Sequence, residues 1–318
     1  MEKIVNIPTL SQIQAAHEAI KPYVHKTPVL TNESINRITG AFIYFKCENF
    51  QKIGAFKIRG ATCATLALTK AEKANGIATH SSGNHAQAVA LTAKLHQINA
   101  YVVMPETAPE IKKNATKDYG AQVTTCAPTV TSRQNTLDQI IKETGATYIP
   151  SFDHYNVIAG QATVAKELIE EVPNLELVLS PVGGGGLMSG TALSTHYLLP
   201  NATIIGAEPK VVNDAYRSLK TGVMQVNDGS RSIADGLLTN LSDKTFEIIT
   251  KYVDEIITVS EQEIVRAMRL IWERMKIVVE PSSAVPLAAI LQQKERFEGK
   301  RIGLILTGGN VDVNQLPF

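Results

Sequence analysis

Asn49-Phe50-Gln51-Lys52-Ile53-Gly54-Ala55-Phe56-Lys57-Ile58-Arg59-Gly60-Ala61 is the stretch on which the reading of this chain turns. Upstream of it, Ala41 to Cys47 is an apolar run that reads as a buried strand, and downstream Ala61 to Leu68 is a run of small residues that reads as a packed helix. Gly54 marks a turn between them, and Lys57 falls at the helix start between Phe56 and Ile58. An apolar setting disfavours the ammonium form, lowers a lysine's pKa and makes it an imine-forming nucleophile. A lone lysine with aliphatic neighbours is ordinarily just an exposed helical residue. Lys57 is more than that only if other stretches supply partners for it.

Length and composition set the frame. At 318 residues the chain exceeds the size at which one core keeps growing, which predicts two lobes. A net charge of +1 offers no electrostatic case for nucleic acid or an anionic membrane as partner. Met1 to Pro8 lacks the apolar core of a signal peptide, and no charge-free apolar run reaches membrane-spanning length. Cys47, Cys63 and Cys126 are widely spaced and embedded in apolar segments, which predicts free buried thiols and a cytoplasmic protein.

In chain order, Thr9-Leu10-Ser11-Gln12 reads as a capping box opening a helix through Ile20, and Asn32 to Thr39 as a short helix stopped by Gly40. Thr27-Pro28-Val29-Leu30 is extended, because proline pushes its predecessor out of the helical region. Strands are predicted at Ile77 to His80, Ala100 to Met104, Gln122 to Cys126 and Thr147 to Ile149, with helices between them at Asn84 to Leu95, Pro109 to Asp118 and Thr131 to Thr144. That series implies a small parallel sheet covered by helices. After Pro150 a second alternation follows: helix Gln161 to Glu171, strand Leu177 to Ser180, helix Leu187 to Leu198 and strand Thr203 to Ala207. Strand Glu255 to Val259, a helix opened by Ser260-Glu261-Gln262-Glu263 and strand Ile302 to Leu306 complete it, while Asn213 to Asp243 is the least regular stretch. Two α/β lobes with a cleft lined by loops at the carboxyl ends of strands are expected.

Three such loops carry unusual chemistry. Ser81-Ser82-Gly83-Asn84-His85 joins a strand to a helix start, where unpaired N–H groups make a seat for an anion such as a carboxylate. As a cap alone this motif is common, and a histidine such as His85 is by itself more often a satisfied structural residue than a catalyst. Gly183-Gly184-Gly185-Gly186 also joins strand to helix; four consecutive glycines cost backbone entropy, which close approach to a phosphate would repay, although a plain flexible turn is the alternative. Neither a Walker loop nor a dinucleotide fingerprint fits its spacing. Thr307-Gly308-Gly309-Asn310 presents a neutral hydroxyl after the last strand. A lysine, a phosphate cup, a carboxylate seat and a hydroxyl together match what pyridoxal phosphate requires of a protein.

The chain also resembles the serine/threonine dehydratase (ammonia-lyase) and serine racemase group of fold-type II pyridoxal-phosphate enzymes. The resemblance lies in Lys26 to Leu30, Phe56 to Ala61, Ser81 to His85, Ile158 to Gln161, Gly183 to Gly186, Glu280-Pro281-Ser282 and Thr307 to Asn310. It implies the tryptophan synthase beta-like fold, two doubly wound parallel-sheet lobes with pyridoxal 5'-phosphate in the cleft. The large cofactor-binding domain would be residues 1–75 and 154–318, and the small domain 76–153. Lys57 would hold the cofactor as an imine, flanked by Phe56; Asn84 would contact the phenolic oxygen, Gly183, Gly184, Gly185 and Gly186 the phosphate, and Thr307 the pyridine nitrogen. A hydroxyl, unlike an aspartate, does not stabilise a protonated pyridinium, so the ring is a weaker electron sink, which suits prompt loss of a β-hydroxyl. Ala86, Ala162 and Tyr155 depart from the group's usual residues without touching this chemistry.

The implied activity is deamination of L-serine or L-threonine to a 2-oxo acid and ammonia, with serine racemisation beside it. The substrate would meet Ser81, Ser82, Asn84 and His85, and racemisation needs a second acid/base opposite Lys57, for which the resemblance points to Ser82. A 3-hydroxyaspartate ammonia-lyase is the alternative, with Arg133 either meeting the second carboxylate or lying at the surface; a non-catalytic phosphometabolite-binding protein is the alternative of another class. Glu208 and Asp214, six residues apart, read by themselves as solvated surface acids; the resemblance to the racemase subgroup implies that they share one Mg²⁺ or Ca²⁺ through oxygen ligands, with the Val212 carbonyl. It further implies ATP as an effector at Gln87, Lys112, Tyr119 and Asn310, a small amino acid as substrate, and a homodimer.

Overall fold

The predicted alternation of strands and helices becomes two sheets. The structure, a computed structural model, describes every residue except Pro109 and the side chain of Ile111. In chain order the strands are β1 Val29–Leu30, β2 Phe42–Cys47, β3 Ile77–His80, β4 Ala100–Pro105, β5 Gln122–Cys126, β6 Thr147–Tyr148, β7 Leu177–Pro181, β8 Thr203–Pro209, β9 Glu255–Val259 and β10 Arg301–Leu306. One sheet has four strands in the order β5-β4-β3-β6 and the other six in the order β1-β2-β10-β7-β8-β9. Every pairing is parallel except β1 with β2. This is the doubly wound α/β architecture predicted for both lobes.

The slot taken by β10 decides where the site forms. It lies between β2 and β7, with Leu306 opposite Cys47 and Leu304 opposite Leu179. The carboxyl ends of all three strands therefore emerge at one edge of the sheet. The Lys57 stretch, the glycine loop and the Thr307 loop, scattered along the sequence, meet there. Strand β3 is central in the smaller sheet and delivers the Ser81 loop from its own carboxyl end.

A close stack of three helices supports that edge. Tyr155–Glu171 lies between Lys57–Leu66 and Gly186–Leu198. A Cβ on Gly160 would sit 2.6 Å from the Arg59 carbonyl oxygen, and one on Gly190 2.5 Å from the Ala162 nitrogen. Only glycine permits backbones this near to each other.

Several boundaries differ from expectation. The helix expected from Gln161 begins at Tyr155. Its residues 156 to 169 are all buried, so no polar stripe marks the 3.6-residue period, and Val157, Ile158 and Gly160 are weak helix formers. The helix expected to run to Leu68 opens at Lys57, as read, and ends at Leu66. The irregular stretch Asn213 to Asp243 contains the helix Asp214–Thr221. Helices Lys70–Ala74, Asp243–Tyr252 and Pro281–Gln292 were not foreseen; the last is apolar all round and carries Pro286 inside it. The predicted helix start at Pro109 lies outside the described residues. The capping boxes at Thr9 and Ser260 and the left-handed stop at Gly40 are as expected. Among the described residues no helix is long and apolar enough to cross a membrane, and Cys47, Cys63 and Cys126 are free, the first two buried.

Candidate active site

Lys57 opens the helix Lys57–Leu66, and the chain reaches it through a strained turn. Ile53 has φ of 61°, a region β-branched residues avoid, so surrounding contacts must hold it. They come from the loop after β10. Asn310 Nδ2 donates to the Ile53 carbonyl at 2.7 Å, Gly309 N to Gly54 O at 2.9 Å, and Phe56 N to Thr307 O at 3.0 Å. The lysine amine donates to the Ser151 carbonyl at 2.9 Å and lies 5.2 Å from the Phe56 ring centre. Burial brings its pKa down from 10.5 to about 8, against the opposing pull of the Glu280 carboxylate. This is the poised amine that the sequence suggested.

Two residues on, Arg59 anchors the helix from below. It is fully buried and forms a fork-to-fork pair with Glu48, with Nε and Nη2 each 2.8 Å from a carboxylate oxygen. Nη1 and Nη2 also reach Glu167, both at 2.8 Å. Lys46 joins Glu167 from strand β2 at 2.7 Å. Two cations and two carboxylates thus balance in a dry network linking β2, the lysine helix and Tyr155–Glu171. Burial pushes the Glu167 carboxyl up, but hydrogen bonds from His17 and Arg59 outweigh it and hold the group well below its usual range.

The Ser81 loop brings the smaller sheet to the lysine. Helix Asn84–His96 starts after Gly83 without a side-chain cap, so neither serine caps the helix as the motif suggested, and its first N–H groups are left for an anion. Asn84 Oδ1 accepts from Asn310 Nδ2 at 2.8 Å, while Asn84 Nδ2 faces both Glu280 oxygens at 3.0 and 3.1 Å. These contacts fix which way the Asn84 amide points and leave it a second N–H to donate. Burial, with Asp235 adding to it, pushes Glu280 up to about 7. His85 is buried with Nε2 2.9 Å from the Ile149 carbonyl oxygen, so that nitrogen carries the proton. Its Nδ1 has no partner among the described residues, which leaves an unspent acceptor beside the site. Burial and the nearby Lys57 lower its pKa to about 3 and keep the ring neutral.

The glycine loop is pressed on several sides. A Cβ on Gly184 or Gly186 would stand 2.7 or 2.8 Å from Phe152, one on Gly183 2.8 Å from Leu237 Cα, and one on Gly185 2.8 Å from Leu241. Gly185 also has φ of 84°. Helix Gly186–Leu198 begins here, again with no side-chain cap. Thr307, 3% exposed, closes the site at the end of β10.

The outer residues gather less tightly. Arg133 lies near enough to His80 to lower its pKa, after burial, and the Arg133 Nε is buried without a partner among the described residues. The His80 ring stacks 5.8 Å from Tyr148. Glu208 and Asp214 are both fully buried. Glu208 accepts from the N–H groups of Ala215 and Tyr216 at 3.0 and 2.9 Å, and Asp214 from Leu241 N at 3.1 Å and Asn227 Nδ2 at 2.6 Å. Burial raises both, Glu208 to about 8 with Asp214 contributing. Of the residues implied for a nucleotide, Lys112 is paired with Asp235 at 2.9 Å, Asn310 holds Asn84 and Ile53, Gln87 is buried, and Tyr119 packs on the core. Sequence reasoning gave no role to Ser151, Phe152, Glu280 or Ser283. Only Glu280 left a signal, as part of the Glu280-Pro281-Ser282 motif.

Residues 20–308 match the model of the family described as pyridoxal-phosphate dependent enzyme. The chain is 50% identical over 312 residues to a beta-hydroxyaspartate dehydratase of Paracoccus denitrificans, covering 98% of this chain and 99% of that one. It is 48% identical over 320 residues to a serine racemase of Dictyostelium discoideum, covering 99% and 98%. The crystal structure of T.th. threonine deaminase superimposes with a TM-score of 0.92 at 40% identity, covering 96% of this chain and 99% of that one.

Proposed function

Because the chain belongs to the family of pyridoxal-phosphate dependent enzymes, we propose that it deaminates L-serine or L-threonine to a 2-oxo acid and ammonia, with serine racemisation as an accompanying activity. The observation that carries this reading is Lys57 itself: an amine held at about 8 where the glycine loop, the Ser81 loop and the Thr307 loop converge. The site fits the cofactor. The start of helix Gly186–Leu198 lacks a side-chain cap and offers its N–H groups to a phosphate. Asn84 retains a donor for the phenolic oxygen, and Thr307 offers a hydroxyl to the ring nitrogen. Pyridoxal phosphate, when bound, supplies the electron sink that loosens the α-proton of the amino acid joined to it.

The chain's own residues do the rest. Lys57 would hold the cofactor and, with substrate bound, would be the base for the α-proton; its low pKa keeps a useful fraction unprotonated near neutrality. The uncapped start of helix Asn84–His96 seats the substrate carboxylate beside Ser81, Ser82 and His85. Ser82 serves as the acid/base on the opposite face. Support for an enzyme, rather than a binder of phosphorylated metabolites, comes from relatives named as dehydratase, ammonia-lyase and racemase.

A second reading has its own observation. Arg133 keeps a buried Nε with no partner among the described residues, on the His80 side of the site. That suits a substrate with a second carboxylate, and three relatives are named for hydroxyaspartate. A turnover panel of L-serine, D-serine, L-threonine and the 3-hydroxyaspartate isomers separates the readings. Preference for serine or threonine supports the first, and preference for hydroxyaspartate lost in Arg133→Met supports the second. A purified protein that is colourless, cannot be loaded with pyridoxal phosphate and turns over none of them refutes both.

We also propose Mg²⁺ or Ca²⁺ between Glu208 and Asp214 with the Val212 carbonyl, because two buried carboxylates, one raising the other's pKa, call for a compensating cation. A cytoplasmic homodimer is proposed on the free cysteines and on exposed Phe50 and Val278, neighbours of the contact between Asn49 Nδ2 and the Val278 carbonyl. ATP as an effector rests on the resemblance alone.

A further inference from the structure

His85 lies in the first turn of helix Asn84–His96 and is 2% exposed, yet only one of its two ring nitrogens is accounted for. Nε2 is 2.9 Å from the Ile149 carbonyl oxygen, which also accepts from Thr79 Oγ1 at 3.0 Å. A carbonyl oxygen can only accept, so Nε2 carries the ring's proton and Nδ1 is a bare lone pair. That lone pair is buried and has no donor among the described residues. A buried acceptor without a donor is unfavourable, and a native fold rarely leaves one unmet. The backbone sets where this one stands. Two residues beyond Ile149, the Ser151 carbonyl accepts from the Lys57 amine at 2.9 Å. One short segment therefore holds the imidazole and the lysine side by side, and Lys57 adds to burial in keeping the ring neutral.

We propose that His85 is a specificity-determining residue whose Nδ1 accepts a hydrogen bond from the β-hydroxyl of the substrate. The other groups of an amino acid do not suit this acceptor. A carboxylate has no hydrogen to give and is repelled by a lone pair; the free N–H groups of the helix start take it instead. The amino nitrogen is spent on the cofactor. The β-hydroxyl is the donor that remains. Serine, threonine and 3-hydroxyaspartate all carry it, so His85 selects β-hydroxy amino acids as a class and leaves the choice among them to groups such as Arg133. A site built to hydrogen-bond a hydroxyl discriminates against analogues that lack one. No proton changes hands in the contact: the hydroxyl hydrogen stays on its oxygen and the ring hydrogen on Nε2. The bond serves to fix the direction of the Cβ–O bond that breaks. The inference rests on the reading of the Ser81 loop as the substrate seat. A purely structural His85 would only tie its helix to the end of β6.

The test compares, in holoenzyme, whichever β-hydroxy amino acid turns over best with its β-chloro counterpart, which loses chloride from the same carbon but has no hydroxyl hydrogen. In His85→Gln the side-chain amide can still donate to the Ile149 carbonyl while the Nδ1 acceptor is gone; in His85→Asn an oxygen stands near the Nδ1 position. His85→Gln is expected to lower kcat/KM for the hydroxy substrate about tenfold, the share of one hydrogen bond, and to lower it far less for the chloro substrate. His85→Asn is expected to recover part of the difference. A second measurement stands even if these variants fail to fold: the histidine ¹⁵N resonances of cofactor-loaded Lys57→Ala protein, which cannot turn substrate over. The His85 Nδ1 resonance is expected to move further with the hydroxy amino acid than with its deoxy counterpart, alanine for serine or aspartate for 3-hydroxyaspartate. Equal loss on both substrates in His85→Gln, or a resonance that both ligands move alike, overturns the proposal and leaves His85 structural, with the proposed function standing. A holoenzyme that turns over none of the β-hydroxy amino acids removes that function and this inference together.

Discussion

Replacing Lys57 with methionine is expected to stabilise the cofactor-free protein while abolishing turnover. In the fold the amine is held at about 8 instead of 10.5. At pH 7 both folded and unfolded chains carry it charged, so the folded state bears the cost of desolvating an ammonium. That difference corresponds to about 3 kcal/mol. Because Lys57 is only partly buried, solvent screening reduces the effect, and ~1–2 kcal/mol is the expected gain. Methionine keeps the length and apolar packing of the stem against Phe56 without the charge. The pH dependence identifies the cause. As pH falls, the unfolded lysine takes up its proton first and the folded one only near 8, so wild-type stability declines between those values and stays low below them. The gap between variant and wild type should be widest at pH 7 and shrink towards pH 10. Urea unfolding of cofactor-stripped proteins at both pH values measures it. A variant no more stable than wild type at pH 7, or an equal gap at both pH values, would refute the claim that burial holds this lysine in a poised state.

Arg59→Met should destabilise by about 3–5 kcal/mol, since Glu48 and Glu167 would be left buried without their main cation; an unchanged urea midpoint would show the network to be dispensable. Gly160→Ala places a Cβ 2.6 Å from the Arg59 carbonyl and should cost at least ~1–3 kcal/mol by forcing two helices apart, with loss of cofactor retention as a second readout. Chelation should lower the melting temperature and Mg²⁺ or Ca²⁺ restore it, an ion at a hundredfold excess over its dissociation constant contributing about 3 kcal/mol; an unchanged melting temperature and no metal by elemental analysis would make Glu208 and Asp214 a plain buried pair. Ser82→Ala should lose racemisation and D-serine elimination while keeping much of its L-serine elimination through Lys57. Equal loss of both reactions would leave Ser82 as a carboxylate seat only.

What the sequence by itself determined was the local vocabulary. Short continuous apolar runs bounded by turn residues located the strands of both sheets, since parallel strands are buried on both faces, and capping boxes with a 3.6-residue apolar period located most amphipathic helices. The lysine between apolar neighbours at a helix start, and the four glycines and the hydroxyl at strand ends, were legible because each is an unusual residue for its place. Helices buried on every side, Tyr155–Glu171 and Pro281–Gln292, were cut short or missed, because without a wet face there is no period to read. Only the tertiary structure decided which distant groups meet. The insertion of β10 between β2 and β7 set Thr307 beside the Lys57 turn, and only then did Ser151, Phe152 and Glu280 acquire roles. A buried carboxylate pushed to about 7 or a hydroxyl bonded to another hydroxyl has no trace in its own neighbourhood of sequence. Desolvation and hydrogen-bond geometry arise from partners that the chain brings in from far along its length, and that information exists only once the fold has closed.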